Sequence, residues 1–184
     1  MFRRVCAYMR AVYTIFDIVG PCDAPLALIA NIPDSQLSGS SFFDDNPQAA
    51  YHRSRLHTQR NDDGNDGRGA WRADENTVGE YIQADFGQLQ RIQAVATQGR
   101  ADTNYWVTSY KFAYSTEGVT YDYVTSDDGG DRVFGGNSDR GTVVENGLDV
   151  PIVARFVRLY PQTVHNWMSL RWEDYGCSYN GYYA

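Results

Sequence analysis

In the stretch EYIQADFG, Glu80 to Gly87, the residues Ile82, Ala84 and Phe86 alternate with Tyr81, Gln83 and Asp85. That is the period of a strand with one face in a core, and Gly87 is expected to end it. The signature recurs along the chain. Tyr110, Phe112 and Tyr114 line one face of SYKFAYS, and TEGV, Thr116 to Val119, supplies a turn into TYDYVT, which predicts a hairpin. PIVARFVRLYP is a β-branched and aromatic run bounded by Pro151 and Pro161, and MSLRWEDYGC sends Met168, Leu170 and Trp172 inward. The arginines inside these two runs, Arg155, Arg158 and Arg171, are expected to face outward or to pair structurally. Many short strands with no helical segments between them predict an all-β fold, a sandwich or barrel of jelly-roll type in which two sheets close on each other.

Composition narrows the class further. At 184 residues, 42% hydrophobic and 21% charged, the chain has the size of one globular domain. Its net charge of −7 makes a nucleic-acid backbone an unsuitable partner. No run reaches the roughly 18 uninterrupted apolar residues of a spanning helix, so a membrane would be met from outside.

Cysteines stand at positions 6, 22 and 177, and the last two bracket nearly all of the chain that has strand character. A Cys22–Cys177 bridge would clasp the two ends, whereas the alternative is two unrelated buried thiols. In the chain-entropy model a loop of this length gains about 5 kcal/mol, provided the compartment is oxidising. Cys6 is left unpaired. Residues 1–21 begin basic and turn apolar as a secretory leader does, but Arg10 and Asp17 interrupt the run, so a mispredicted start explains the segment equally well. The domain is expected over residues 22–177, with 178–184 a short tail.

Three segments fall outside the strand pattern: Phe42 to Gln48, Thr58 to Arg68 and Gly99 to Val107. Loops on a rigid β scaffold are where binding normally resides. The first puts Phe42 and Phe43 beside Asp44 and Asp45, the second is TQRNDDGNDGR, and the third carries Arg100, Tyr105 and Trp106. NDDGNDG offers hard oxygen ligands but not the ordered spacing of a calcium loop, so a solvated turn is expected, with no cofactor and no metal site. The histidines His52, His57 and His165 show neither a paired metal spacing nor a nucleophile elbow, and no enzymatic activity is expected.

The opening cysteine, SGSSFF, SRLH, GAW, EYIQADFG, TQGR, GNSDR, PIVARFVRLYP and the closing LRWEDYGC occur in the order and at the spacing of one family. From Cys22 to Cys177 the chain resembles a discoidin domain, the coagulation factor V/VIII type C family. The resemblance implies an eight-stranded distorted jelly-roll barrel, galactose-binding-like, tied by Cys22–Cys177, with three loops projecting from one end as the ligand surface. It also implies an extracellular, non-catalytic module, secreted or part of a cell-surface ectodomain, that attaches to phospholipid membranes, collagen, glycans or protein ligands.

On that basis Phe42, Phe43, Tyr105 and Trp106 are expected as apolar anchors with Asp44 beside them, at least Phe43 pointing outward, and Arg100 supplying charge-assisted hydrogen bonds to the ligand. Arg100 matches a position that the family's collagen-receptor kinases use for collagen. Those receptors carry an acidic residue just before GAW and a cysteine just after it, where this chain has Arg68 and Arg72. Burial of two phenylalanines would supply roughly 3 to 6 kcal/mol before entropy costs. The three loops together carry a net charge of −3. Against an anionic leaflet, where each basic residue is worth about 1 kcal/mol, that acidic excess offsets most of the gain. The leading expectation is therefore adhesion to a matrix or cell-surface protein such as collagen, ahead of phosphatidylserine-type membrane attachment and of glycan binding.

Overall fold

The computed structural model describes residues 22–61 and 67–179. The leader-like segment with Cys6, the aspartates Asp62, Asp63 and Asp66 of the second loop, and the tail beyond Tyr179 lie outside the described residues.

Nine strands form within them: β1 Leu26–Ala27, β2 Leu37–Gly39, β3 Trp71–Arg72, β4 Ile82–Gln98, β5 Trp106–Ser115, β6 Asp122–Tyr123, β7 Val133–Gly135, β8 Val144–His165 and β9 Ser169–Ser178. Three of the nine, β1, β3 and β6, are two-residue pieces. The order is β1-β9-β4-β8-β5-β6, with β2 on β4, β3 on β9 and β7 on β5. All these pairs are antiparallel, as expected of a jelly-roll barrel of the galactose-binding-like type.

Two strands are longer than their sequence boundaries implied. Gly87 does not end β4. It adopts a left-handed φ of 72°, and its N–H donates to Asp85 Oδ1 at 2.8 Å. Between Asp85 and Gln90 the register against β8 shifts, so Gly87 marks a bulge at which β4 bends and continues. Arg155 on β8 grips both oxygens of Asp85 at 2.7 and 2.9 Å, across from the bend. Likewise β8 runs through both prolines rather than stopping at them. Pro161 pairs with Tyr110 directly beside the register shift at Ser109, and Pro151 lies in the stretch of β8 that β4 leaves unpaired. Proline within a sheet is confined to such breaks because it has no N–H to give.

The inward sets are as the alternation requires: Ile82, Ala84 and Phe86, Tyr110 and Phe112, and Met168, Leu170 and Trp172 are all buried. The predicted hairpin is present, with Ala113 opposite Tyr123. In β9 the other face is buried too, because loops and the turn at Ile29 cover Ser169, Arg171 and Glu173. Arg171 lies on this loop-covered face, donating through Nε to Gly99 O at 2.7 Å and through its terminal nitrogens to Thr58 O at 2.9 Å and Arg140 O at 2.8 Å. Burial pulls its pKa down to about 10, so it remains a cation. Cys22 and Cys177 are joined as a disulfide that closes a span of 155 residues.

Candidate functional site: the loop end of the barrel

The backbone carbonyls that Arg171 collects belong to the base of the second loop, the base of the third and the turn at Arg140. Above it, the second and third loops are clipped to each other. Arg100 is 7% exposed and spends Nε and one terminal nitrogen on Asp102, at 2.7 and 2.9 Å. Asp102 Oδ1 also accepts the N–H of Gly69 at 3.1 Å, and the N–H of Ala101 donates to Gly69 O. A Cβ at Gly69 would meet Ala101 Cβ at 2.8 Å, which is why the GAW motif opens on glycine. Burial pushes the Asp102 carboxyl up, but the Arg100 hydrogen bonds and charge outweigh it, and the pKa lies below the usual carboxylate range. Arg100 therefore braces Asp102, which with Ala101 clips the third loop to the second, and the expectation that it reaches out to a ligand is corrected: it is buried, with Nε and one terminal nitrogen engaged by that carboxylate.

The first loop folds as short 3-10 turns, Phe43–Asp45, Pro47–Ala49 and Tyr51–Ser54. Ser40 and Ser41 hydroxyls donate to the Glu80 carboxylate, and the Trp71 indole donates to Ser41 O at 3.0 Å, so SGSS anchors the root of this loop. Phe42 does not project. It packs against the core and meets Tyr51 edge-on, with centroids 5.2 Å apart, because the first turn folds it back over the barrel. Asp44 and Asp45 are exposed at the tip, both left-handed, with φ of 54° and 44°. Two consecutive non-glycine residues in that region are uncommon and mark a conformation held by its surroundings. Here the holder is Asp74, whose Oδ1 accepts the Asp44 N–H at 2.9 Å.

Phe43, next to this tip, is half-buried under cations. The Arg72 guanidinium carbon sits 3.6 Å from its ring centroid and that of Arg68 sits 4.7 Å away. Arg72 also lies 4.4 Å from the Trp167 ring, so its guanidinium is held between two aromatic planes. Trp167 is itself fixed, its indole donating to Ala73 O at 3.1 Å. Burial and then the Arg68 charge lower the Arg72 pKa.

The rest of the end is built from the third loop and the β8–β9 turn. Trp106 begins β5 and stacks on His165 at 4.0 Å, with planes 8° apart. The left-handed Asn166, φ 62°, donates its amide to Asn104 O at 2.8 Å and accepts at its carbonyl from Asn76. Tyr105 is half-buried beside Arg100. Phe43, Asp44, Tyr105 and Trp106 thus all belong to loops joined at one end, with Arg68, Arg72 and Trp167 among them. The part played by Arg68 and Arg72 was signalled in the sequence only by the basic flanks of GAW. The stacking could not be read there, because its partners Phe43 and Trp167 are remote in the chain.

Among the described residues no group of three His, Cys, Asp or Glu side chains is placed to hold a metal ion. A groove of about 870 Å³ runs along the flank between β6 and the middle of β8, lined by Tyr121, Asp122, Asp131 and Arg132 among others. It contains none of the loop-end residues, and its lining cation, Arg132, is already paired with Asp149. The loop end, where Arg68 and Arg72 have no carboxylate partner among the described residues, is the better candidate.

A disulfide-closed β-barrel that pins several loops together at one end belongs to a class of recognition modules in which the scaffold is rigid and the loops meet the ligand. Residues 37–173 match the F5/8 type C domain. Mouse lactadherin is 36% identical over 173 residues, covering 88% of this chain and 36% of that protein, and mouse retinoschisin is 37% identical over 110 residues, covering 59% and 49%. Discoidin II from Dictyostelium discoideum superposes with a TM-score of 0.74 at 28% identity, covering 89% of this chain and 62% of that one. The chain belongs to the F5/8 type C, or discoidin, domain family, and it spans about half or less of the length of those curated relatives.

Proposed function

We propose that this domain is an extracellular, non-catalytic adhesion module that grips a protein or matrix ligand, such as collagen, through its loop end. The observation that carries the reading is the set of half-buried rings at the loop end, Phe43 and Trp167 against Arg72 and Trp106 against His165, beside two guanidinium groups, Arg68 and Arg72, that have no carboxylate partner among the described residues. Aromatic and arginine side chains on a preorganised surface are the usual energetic centre of a protein interface. The disulfide fits an oxidising compartment. Among the described residues no helix is long and apolar enough to cross a membrane.

Attachment to a lipid surface by insertion is less well supported. The exposed large hydrophobics among the described residues are Leu26 and five valines, whereas Phe42 is folded back and Phe43 is covered by arginine. The tip itself presents Asp44 and Asp45, which an anionic leaflet repels.

The test is solid-phase binding to fibrillar collagen and to intact cells, beside co-sedimentation with neutral and phosphatidylserine vesicles, with and without calcium. The expected result is saturable binding to collagen or cells that Trp106→Ala weakens about tenfold, with no sedimentation. Sedimentation with phosphatidylserine vesicles that Phe43→Ser abolishes would replace this reading with membrane attachment.

A further inference from the structure

The loop end holds a guanidinium whose two faces are taken and whose edge is not. Arg72 is covered on one side by Phe43 and on the other by Trp167. Its Nε is buried without an acceptor. Its terminal nitrogens are not buried, and no hydrogen bond or ion pair engages them among the described residues. A guanidinium stacked in this way can be approached only in its own plane, at the edge where two parallel N–H groups point outward. That geometry suits the two oxygens of a carboxylate. Arg68, over the same Phe43 ring, adds a second positive charge with no acidic partner among the described residues. Four other arginines have carboxylate partners, Arg55 in Asp34, Arg100 in Asp102, Arg132 in Asp149 and Arg155 in Asp85. Two neighbouring cations left unmatched, one of them preorganised by stacking, form a site built for an incoming anion.

The surroundings select which anion. Asp44 and Asp45 are exposed at the adjoining tip, and Asp74 is tied to it through the Asp44 N–H. The cationic centre is therefore ringed by three carboxylates on a chain of net charge −7. A dense anionic surface would meet that ring as repulsion. A single carboxylate whose neighbours are basic would meet opposite charge at the centre and again at the rim.

Resting on the adhesion reading above, we infer that Arg72, aided by Arg68, receives a Glu or Asp side chain of a protein ligand, and that Asp44, Asp45 and Asp74 face Lys or Arg residues flanking it. Arg72 supplies two in-plane hydrogen bonds from its terminal nitrogens, Phe43 and Trp167 hold its plane, and the left-handed turn at Asp44 holds Phe43.

The experiment uses the intact domain, labelled with 15N, and two peptides, acetyl-Gly-Lys-Gly-Glu-Gly-Lys-Gly-amide and the same peptide with Gln in place of Glu. Titrations are followed by the Arg side-chain and Trp indole resonances. The Glu peptide should shift the Arg72 Nε–H and the Trp167 indole, and the Gln peptide should bind about tenfold more weakly or not at all. Arg72→Lys, which keeps the charge but loses the fork, should weaken the Glu peptide about tenfold, and Arg132→Gln, a charge loss on the barrel flank, should not. Both variants are first checked for a native 1H–15N spectrum. Equal binding of the two peptides, or full binding by a folded Arg72→Lys, would overturn the inference. Phosphatidylserine vesicles shifting the same resonances while the Glu peptide does not would also overturn it and assign the clamp to a lipid headgroup. The outcomes separate from those for adhesion itself. Adhesion lost with Trp106→Ala but kept with Arg72→Lys removes only the clamp, whereas adhesion that no loop-end substitution alters removes the reading beneath it.

Discussion

Arg171 and Arg72 are the same residue type in the same fold, and they are used in opposite ways. Arg171, at the base of the loops, is 2% exposed and donates to three backbone carbonyls from three separate segments. Arg72, at the tip, is pressed between two rings and donates to nothing among the described residues. A buried cation with all three nitrogens engaged holds structure together, whereas a stacked cation with an unengaged edge keeps hydrogen-bonding capacity for another molecule. The difference teaches that the loop end is graded, with hydrogen-bond satisfaction concentrated where the loops leave the barrel and declining toward the tips.

That gradient makes stability predictions that fall in size from the barrel to the tip. Replacing Cys22 and Cys177 by Ser releases a closed span of 155 residues and should cost about 5 kcal/mol, measured by urea unfolding of the oxidised parent and the variant. A loss below about 1 kcal/mol would mean that the long strands alone hold the ends together. Arg171→Met should come next, at about 3–5 kcal/mol, because it leaves one buried and two partly buried carbonyl groups without their donor and unties three segments at once. If Arg171→Met proves nearly neutral, the base is not the anchor and the comparison breaks.

Asp102→Asn is expected to cost about 2–3 kcal/mol at pH 7, since it strands the buried Arg100 charge while keeping an oxygen for the Gly69 N–H. The pH profile sharpens this. The Asp102 pKa is depressed in the folded state, so its contribution is fully present above the unfolded carboxylate value of about 3.9 and fades as pH falls through the lower folded value. Stability measured between pH 6 and pH 2 should therefore fall less steeply in Asp102→Asn than in the parent, at the acid end. Arg72→Gln should have the smallest effect, within about 1 kcal/mol, because the lost stacking and the relief of an unpaired buried Nε–H act in opposite directions. A cost as large as that of Arg171→Met would show that the tip is scaffold as well.

The strand content was open to reading from the chain because alternation is a local property. Ile82, Ala84 and Phe86 had to share a face whatever the rest of the fold, and they are buried. The ends of strands were less legible. Gly87 and Pro161 are ordinary stop signals, yet β4 and β8 pass through them, because register shifts against their neighbours accommodate a left-handed glycine and a missing N–H. The candidate site was legible as a set of loops but not as a set of contacts. Arg100 and Asp102 are two residues apart, but that they close on each other beneath Gly69 depends on two loops meeting in space.

By itself, then, the sequence determined the all-β architecture, the bridge between Cys22 and Cys177 and the loops that carry the candidate site, since period, turn residues and ordered motifs are written in neighbouring positions. The tertiary structure alone decided that Phe42 folds inward, that Arg100 is occupied and that Arg72 stands stacked and unpaired between Phe43 and Trp167. Those outcomes depend on which groups meet across distant segments, and a side chain's freedom to bind is set by the partners that reach it first.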